Sequence, residues 1–133
     1  MRRLRWIAAI SGVYDLLAGV VMFTGSLTVD RIGDVPLSTP PVYSTLNGVF
    51  LIAVGLGYFI PYRDPQRGRP YLWVMGPFLK GAGALTFLIT YIARPSPASL
   101  LLFAAGDGAL ALVTVWALIG GPSSTNTPAR LRR

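Results

Sequence analysis

The chain has 133 residues, of which 53% are hydrophobic and 13% charged, whereas an ordinary soluble domain carries about 25% charged residues. It contains no cysteine and no histidine, which excludes disulfides, thiolate metal sites, a cysteine nucleophile and histidine-based catalytic triads. The net charge of +7 lies in short arginine clusters beside apolar segments, a pattern typical of membrane proteins and not of nucleic-acid binding.

Four long apolar segments follow one another along the chain and predict four transmembrane helices. Each has about the 20 residues that a helix needs to cross the hydrocarbon core, and none shows the alternation of a transmembrane strand. The predicted fold class is therefore all-α, a four-transmembrane-helix bundle formed by residues 1–120. The predicted helices span residues 6–27, 42–60, 71–93 and 98–119.

Segments that contain proline and glycine separate the predicted helices. The first predicted loop spans residues 30–41, the second spans 61–70 (PYRDPQRGRP), and the third is the tight turn RPSP at 94–97. Proline and glycine favour turns over continued helix. The polar segment 121–133 follows the last helix and is predicted to be a flexible, basic cytoplasmic tail.

The arginine distribution predicts the orientation in the membrane. Nine arginines lie in the N-terminal segment, the second loop and the tail, whereas the first and third loops contain one each. By the positive-inside rule, both termini and the second loop are cytoplasmic, in a multi-pass protein of the cell inner (plasma) membrane. The first apolar segment is longer than the roughly 7–15-residue core of a signal peptide and contains Asp15, so we expect it to be retained.

Three of the predicted helices each carry one charged residue near the middle: Asp15, Lys80 and Asp107. Each lies about ten residues from one end of its helix, which at 1.5 Å per residue is about 15 Å, the middle of the bilayer. A charge at this depth is costly unless it is paired. We therefore predict that the three side chains face the interior of the bundle and converge.

The charges of this predicted cluster do not balance, because two acids face one base. A proton held on one Asp, a bound cation, or a ligand with a positive or donor group would each resolve the excess negative charge. The alternative is an interhelical fastener that fixes the register of the helices. The sequence leaves open whether Asp15, Lys80 and Asp107 form a ligand or proton site or a purely structural contact.

Small and polar residues near the charges favour an interior position. Small residues share a helical face with each charge: Ala8, Gly12 and Gly19 with Asp15, Gly76 and Gly83 with Lys80, and Ala104, Ala111 and Thr114 with Asp107. Small residues let membrane helices approach closely. Tyr14 and Asn47 are included in the predicted ligand or proton site, although Asn47 is expected nearer the outer surface and also fits a helix–helix contact.

Several cofactors can be weighed against this cluster. A buried lysine between two carboxylates suggests a Schiff base, as in a retinal pocket, but four helices are few to enclose such a chromophore. The absence of histidine disfavours haem or chlorophyll ligation, and no metal site is predicted. No cofactor is identified; a quinone or a lipid is the candidate ligand, and no catalytic residue is assigned.

Five segments carry a resemblance to a known group of proteins. They are GVYDLLAG at 12–19, LNGVFLIAVGLGYF at 46–59, RDPQRGR at 63–69, FLKGAG at 78–83 and GDGALA at 106–111. Together they resemble the DoxX-like small four-helix bacterial membrane proteins over most of residues 4–120. Some members of that group are associated with quinol-oxidising or redox membrane complexes. The resemblance implies an accessory role in membrane redox or lipid-linked metabolism, and it implies no catalytic residues.

Three classes of function remain open. In the first, the bundle binds a hydrophobic or amphipathic ligand, as an enzyme or an accessory subunit. In the second, it is a small proton-coupled transporter in which Asp15 or Asp107 exchanges a proton. In the third, it is a structural subunit of a larger membrane complex. The lipid bilayer is the predicted partner in every case, with other membrane proteins or a second copy as further candidates and no nucleic acid.

Overall fold

The structure is a computed structural model that describes residues 1–33 and 42–120, and only the backbone within 25–33. Every regular element in these ranges is a helix. The α-helices are α1 (Arg2–Gly33), α2 (Val42–Gly57), α3 (Phe59–Arg63), α4 (Arg69–Trp73), α5 (Gly81–Ala93) and α6 (Ser99–Ile119), and a π-helical segment, Val74–Lys80, joins α4 to α5.

Among the described residues, four stretches of helix are long and apolar enough to cross a membrane, which confirms the predicted all-α fold with four helices of membrane-spanning length. They are Arg2–Thr24, Val42–Arg63, Arg69–Ala93 and Ser99–Ile119. The second combines α2 with α3, and the third combines α4, the π-segment and α5.

The loops are shorter than predicted at two places. Helix α1 continues to Gly33, so residues 30–33 are helical, because no strong helix breaker precedes that glycine. The rest of the first predicted loop, 34–41, and the predicted tail, 121–133, lie outside the described residues.

The second loop is reduced to 64–68. Its flanking prolines lie in short helices, and the one in α4 stands in the first turn, where a missing N–H is tolerated. The third predicted loop, 94–97, is non-helical as expected.

Reciprocal glycines bring α1 and α2 into close contact. A Cβ at Gly19 would lie 2.8 Å from the carbonyl oxygen of Gly48, and a Cβ at Gly48 would lie 2.9 Å from that of Gly19. Gly12 and Gly55 repeat the arrangement about two turns nearer the start of α1, at 3.2 Å and 2.9 Å. No larger residue fits at these distances, so the two backbones approach as small-residue membrane helices do. The close helix approach predicted from Gly12 and Gly19 is confirmed, and Gly48 and Gly55 are their partners on α2.

One end of the bundle, here called the basic end, is formed by the start of α1, residues 64–68 and the end of α6. The guanidinium of Arg3 lies 4.9 Å above the ring of Trp116. The Nε2 of Gln66 lies 3.6 Å from the sulfur of Met1. These contacts bring the start of the chain, the second loop and the end of the last helix together at one end.

The hydrophobic core occupies only the half of the bundle nearest the basic end. It consists of Leu4, Ile7, Ala8, Val54, Tyr58, Leu72, Ala117 and Leu118, all at most 7% exposed. In the half farther from the basic end, called the outer half, α5 has no buried residue and residues 99–110 of α6 have none either. Beyond the three charges, α5 and the first half of α6 are therefore loosely packed, whereas α1 and α2 remain in close contact there through Gly19 and Gly48.

Candidate functional site

Lys80 is positioned by the π-helical segment that ends with it. Pro77 lies in the middle of this segment, and proline has no N–H to donate to the preceding turn, which favours a wider local helix. Gly76 lets the segment press against α6, because a Cβ there would lie 2.6 Å from the Cγ2 of Thr114. The irregular turn and the close approach together fix the direction in which Lys80 leaves its helix, and π-turns of this kind are frequent at functional sites.

The three mid-membrane charges form one cluster. The Nζ of Lys80 donates a hydrogen bond to the Oδ1 of Asp15 at 2.5 Å. The same Nζ lies 3.7 Å from the Oδ1 of Asp107. The two side chains of the shorter pair are only 4% and 3% exposed. The predicted convergence of Asp15, Lys80 and Asp107 is confirmed, and the structure adds that Asp15 is the closer partner.

Tyr14 joins the cluster from the side. The Nζ of Lys80 lies 4.7 Å from the centre of its ring, a cation–π contact, and its hydroxyl lies near Asp107. Two glycines make room for these groups. A Cβ on Gly106 would lie 3.1 Å from the Tyr14 hydroxyl, and a Cβ on Gly83 would lie 3.2 Å from the Oδ2 of Asp107. The site thus depends on bare backbone at two points of α5 and α6.

Three buried polar atoms beside the ion pair have no hydrogen-bond partner among the described residues: the Oγ of Ser11, the Oδ2 of Asp15 and the hydroxyl of Tyr58. Ser11 is 0% exposed, and Asp15 and Tyr58 are each 2% exposed. Ser11 and Asp15 are one turn apart on α1, and Tyr58 lies close to both. Native interiors leave few such groups unpaired. The hydroxyls of Ser11 and Tyr58 lie near enough to interact with each other, so the Oδ2 of Asp15 is the acceptor in this group that is left without a partner among the described residues.

Access to the cluster differs on its two sides. Towards the basic end, the cluster is closed by the hydrophobic core described above. Towards the outer half, the side chain of Asp107 is 18% exposed, and α5 and the first part of α6 contain no buried residue. Of the three charged side chains, Asp107 is therefore the one most open to the surroundings, and it faces away from the hydrophobic core.

Asn47 is not part of the cluster. Its side chain is exposed, and its Nδ2 lies 3.4 Å from the sulfur of Met22, so it bridges α1 and α2. The reason is register: the contact of Gly48 with Gly19 places this part of α2 beside Met22, about 10 Å farther outward than Asp15 at 1.5 Å per residue. The alternative interpretation of Asn47 as a helix–helix contact agrees with this position.

Two members of the site, Ser11 and Tyr58, were not predicted. Ser11 lies four residues before Asp15, and this helical spacing places both on one face, so the sequence contained the signal. Tyr58 reaches the site because α2 ends beside Gly12, where a Cβ would lie 3.0 Å from the Cβ of Tyr58. That contact depends on how α1 and α2 pack, and no spacing within either helix indicates it.

Comparison of the chain with protein-family models, with curated proteins and with solved structures found no match.

Proposed function

We propose that this chain is a multi-pass protein of the inner membrane that binds an amphipathic ligand of lipid or quinone type at the cluster of Asp15, Lys80 and Asp107. The observation that carries the proposal is a buried ionic cluster with an unpaired carboxylate oxygen, closed towards the basic end by the hydrophobic core and partly exposed at Asp107. Such a protein would act as an enzyme or as an accessory subunit of membrane redox or lipid metabolism, in line with the DoxX-like resemblance.

The charges of the site favour a neutral or cationic polar head over an anionic one. Two carboxylates surround one ammonium group, so a phosphate head would meet excess negative charge in a medium that screens it poorly. The free Oδ2 of Asp15 accepts a hydrogen bond, and the hydroxyls of Ser11 and Tyr58 donate or accept. A head with hydroxyl or carbonyl groups, as in a quinol, a quinone or a neutral lipid, matches these atoms.

The ligand proposal is tested on protein purified in a mild detergent, from which bound lipids and quinones are extracted and identified by mass spectrometry. The test variant combines Asp15→Asn, Lys80→Met and Asp107→Asn, which removes all three charges and leaves none unpaired. The control is Arg94→Gln, an exposed charge at the far end of α5. We expect the triple variant to fold and to lose the neutral ligand, and the control to retain it. A folded triple variant with the native amount of ligand would refute the proposal.

A structural role in a larger membrane complex is the second candidate. It is favoured by α5, a helix of 13 residues without a single buried one, which offers an apolar face along its whole length to a partner. Intact mass spectrometry of the same preparation separates the two functions. A stoichiometric partner protein with no bound lipid would favour the structural role, whereas a ligand without a partner would favour the first proposal.

The proposed orientation has the basic end in the cytoplasm. Single cysteines introduced at positions 66 and 125 should react with a membrane-impermeant thiol reagent only after the cells are opened, and a cysteine at position 37 should react in intact cells. The native chain has no cysteine, so each variant carries one reactive thiol. Labelling at position 66 in intact cells would overturn this orientation.

A further inference from the structure

The arginines of the basic end divide into two groups by what they contact. The guanidinium of Arg3 lies 4.9 Å above the ring of Trp116, and that of Arg63 lies 5.4 Å above the ring of Phe59. Arg69 donates a hydrogen bond to a backbone carbonyl in the last turn of α6. These three are occupied by other parts of the chain, and two of them hold neighbouring helices together.

Arg2 and Arg5 on α1, like Arg67 in the second loop, have no such partner. The ion pairs among the described residues both belong to Lys80. Asp64 is the one carboxylate among the described side chains of the basic end, and its Oδ1 accepts two backbone N–H groups of the turn that follows it. Both guanidinium groups are therefore exposed, positively charged and free to bind an anion.

These two arginines border one surface recess. It is lined by Arg2, Arg5, Trp6, Ala9 and Tyr62. The four residues of α1 follow helical spacing and form one face, and Tyr62 closes the recess from α3. Trp6 is 63% exposed and Tyr62 is 47% exposed. Tryptophan and tyrosine favour the membrane–water boundary, so the recess lies where lipid phosphates lie, with apolar surface below it.

We propose that this recess binds the phosphate group of an anionic phospholipid, at a site separate from the mid-membrane cluster. Arginine binds phosphate through two parallel hydrogen bonds, and two guanidinium groups one helical turn apart can hold one phosphate from both sides. The acyl chains would extend along Ala9 towards the apolar surface of α1, with Trp6 and Tyr62 flanking the glycerol region. The site attracts anions, whereas the mid-membrane cluster, with its excess of carboxylate, repels them.

The test compares lipid binding by the full chain in detergent, measured by native mass spectrometry. The probes are dioleoylphosphatidylglycerol, dioleoylphosphatidylcholine and inorganic phosphate at equal concentrations. The test variant is Arg2→Gln with Arg5→Gln, and the control is Arg63→Gln with Arg67→Gln, which removes the same charge at the same end. We expect the test variant to lose roughly a hundred-fold in phosphatidylglycerol affinity, because each guanidinium contributes charge-assisted hydrogen bonds of about 1.5–3 kcal/mol. The control should lose much less, because it removes charge but no contact to the phosphate.

Three results would overturn the proposal. Equal losses in the two double variants would indicate a general surface potential and no defined site. Equal binding of phosphatidylglycerol and phosphatidylcholine would exclude recognition of the anionic head. Displacement of the lipid by inorganic phosphate would indicate a site for free phosphate. If the Arg2→Gln, Arg5→Gln variant does not fold, the variant Arg2→Lys with Arg5→Lys replaces it. Lysine keeps the charge but cannot form the paired hydrogen bonds, so an unchanged phosphatidylglycerol affinity would refute the bidentate contact.

Discussion

Neutralising the three mid-membrane charges one at a time should destabilise the protein in the order Lys80, Asp15, Asp107. The Nζ of Lys80 lies 2.5 Å from Asp15 and 3.7 Å from Asp107. At an effective dielectric constant of about 20, these distances correspond to attractions of about 7 and about 4.5 kcal/mol before desolvation is counted. Lys80→Met removes both attractions and leaves two carboxyl groups without a positive partner, so we expect a loss of about 3–5 kcal/mol.

The two aspartates should differ because their distances and exposures differ. Asp15→Asn breaks the shorter contact and leaves Lys80 buried with the more distant partner, for an expected loss of about 2–3 kcal/mol. Asp107→Asn leaves the short pair intact, with one positive charge facing one negative charge. Its side chain is also the least buried of the three, at 18% exposed, and its neutralisation leaves no unpaired charge, so the expected loss is below about 1 kcal/mol. The triple neutral variant should lie within about 1 kcal/mol of the native protein, because matched replacement of a buried ionic cluster is tolerated.

The measurement is the free energy of unfolding in mixed micelles with an increasing fraction of sodium dodecyl sulfate, followed by circular dichroism. Arg94→Gln is the control for loss of a charge outside the cluster. A loss for Asp107→Asn as large as that for Lys80→Met would contradict the unequal pairing. A triple variant that loses the sum of the single effects would show that the side chains contribute independently, and the reasoning from charge compensation would then be wrong.

Further changes test the packing and the hydrogen bonds around the cluster. Gly48→Ala would place a methyl group 2.7 Å from the backbone nitrogen of Phe23 and should destabilise by about 1–3 kcal/mol. Gly81→Ala, whose methyl group has its nearest neighbour at 4.0 Å, should stabilise the protein by about 0.5–1 kcal/mol. If Gly48→Ala and Gly81→Ala change the free energy of unfolding equally in the same assay, the close helix contact is contradicted. Tyr58→Phe and Ser11→Ala should keep stability within about 1 kcal/mol and should each reduce the amount of copurified ligand severalfold. Native amounts of ligand in both variants would exclude these hydroxyls from the ligand site.

The number of spans, their approximate limits and the depth of the charges follow from the sequence alone. A bare backbone is intolerable in hydrocarbon, so an apolar segment of about 20 residues must be a spanning helix. The rise per residue then places Asp15, Lys80 and Asp107 at a common depth without any knowledge of packing. The cost of an unpaired charge at that depth is enough to predict that they meet. The glycines and alanines that share a helical face with these charges indicate, from helix geometry alone, that the helices approach closely there.

Only the tertiary structure decides how each helix is rotated about its axis. In a lipid-exposed helix the outward face is as apolar as the inward one, so hydrophobic periodicity does not mark the face that packs against other helices. The sequence therefore does not reveal that Lys80 lies closer to Asp15 than to Asp107, or that Asn47 faces Met22 and lies away from the cluster. Tyr58 lies beside Ser11 because Gly55 packs against α1, and the sequence does not indicate this contact either.

The π-helical turn in the third span likewise combines one feature that the sequence predicts with another that only the tertiary structure shows. Pro77 is visible in the sequence as a residue that weakens the third span, but a proline alone does not say whether the helix kinks, ends or widens. The structure has a π-segment around Pro77, and Gly76 within it is pressed against Thr114 of α6, a contact that no local sequence pattern indicates. The direction of Lys80 is thus set by a neighbouring helix, and local sequence determines only that the charge lies at mid-membrane.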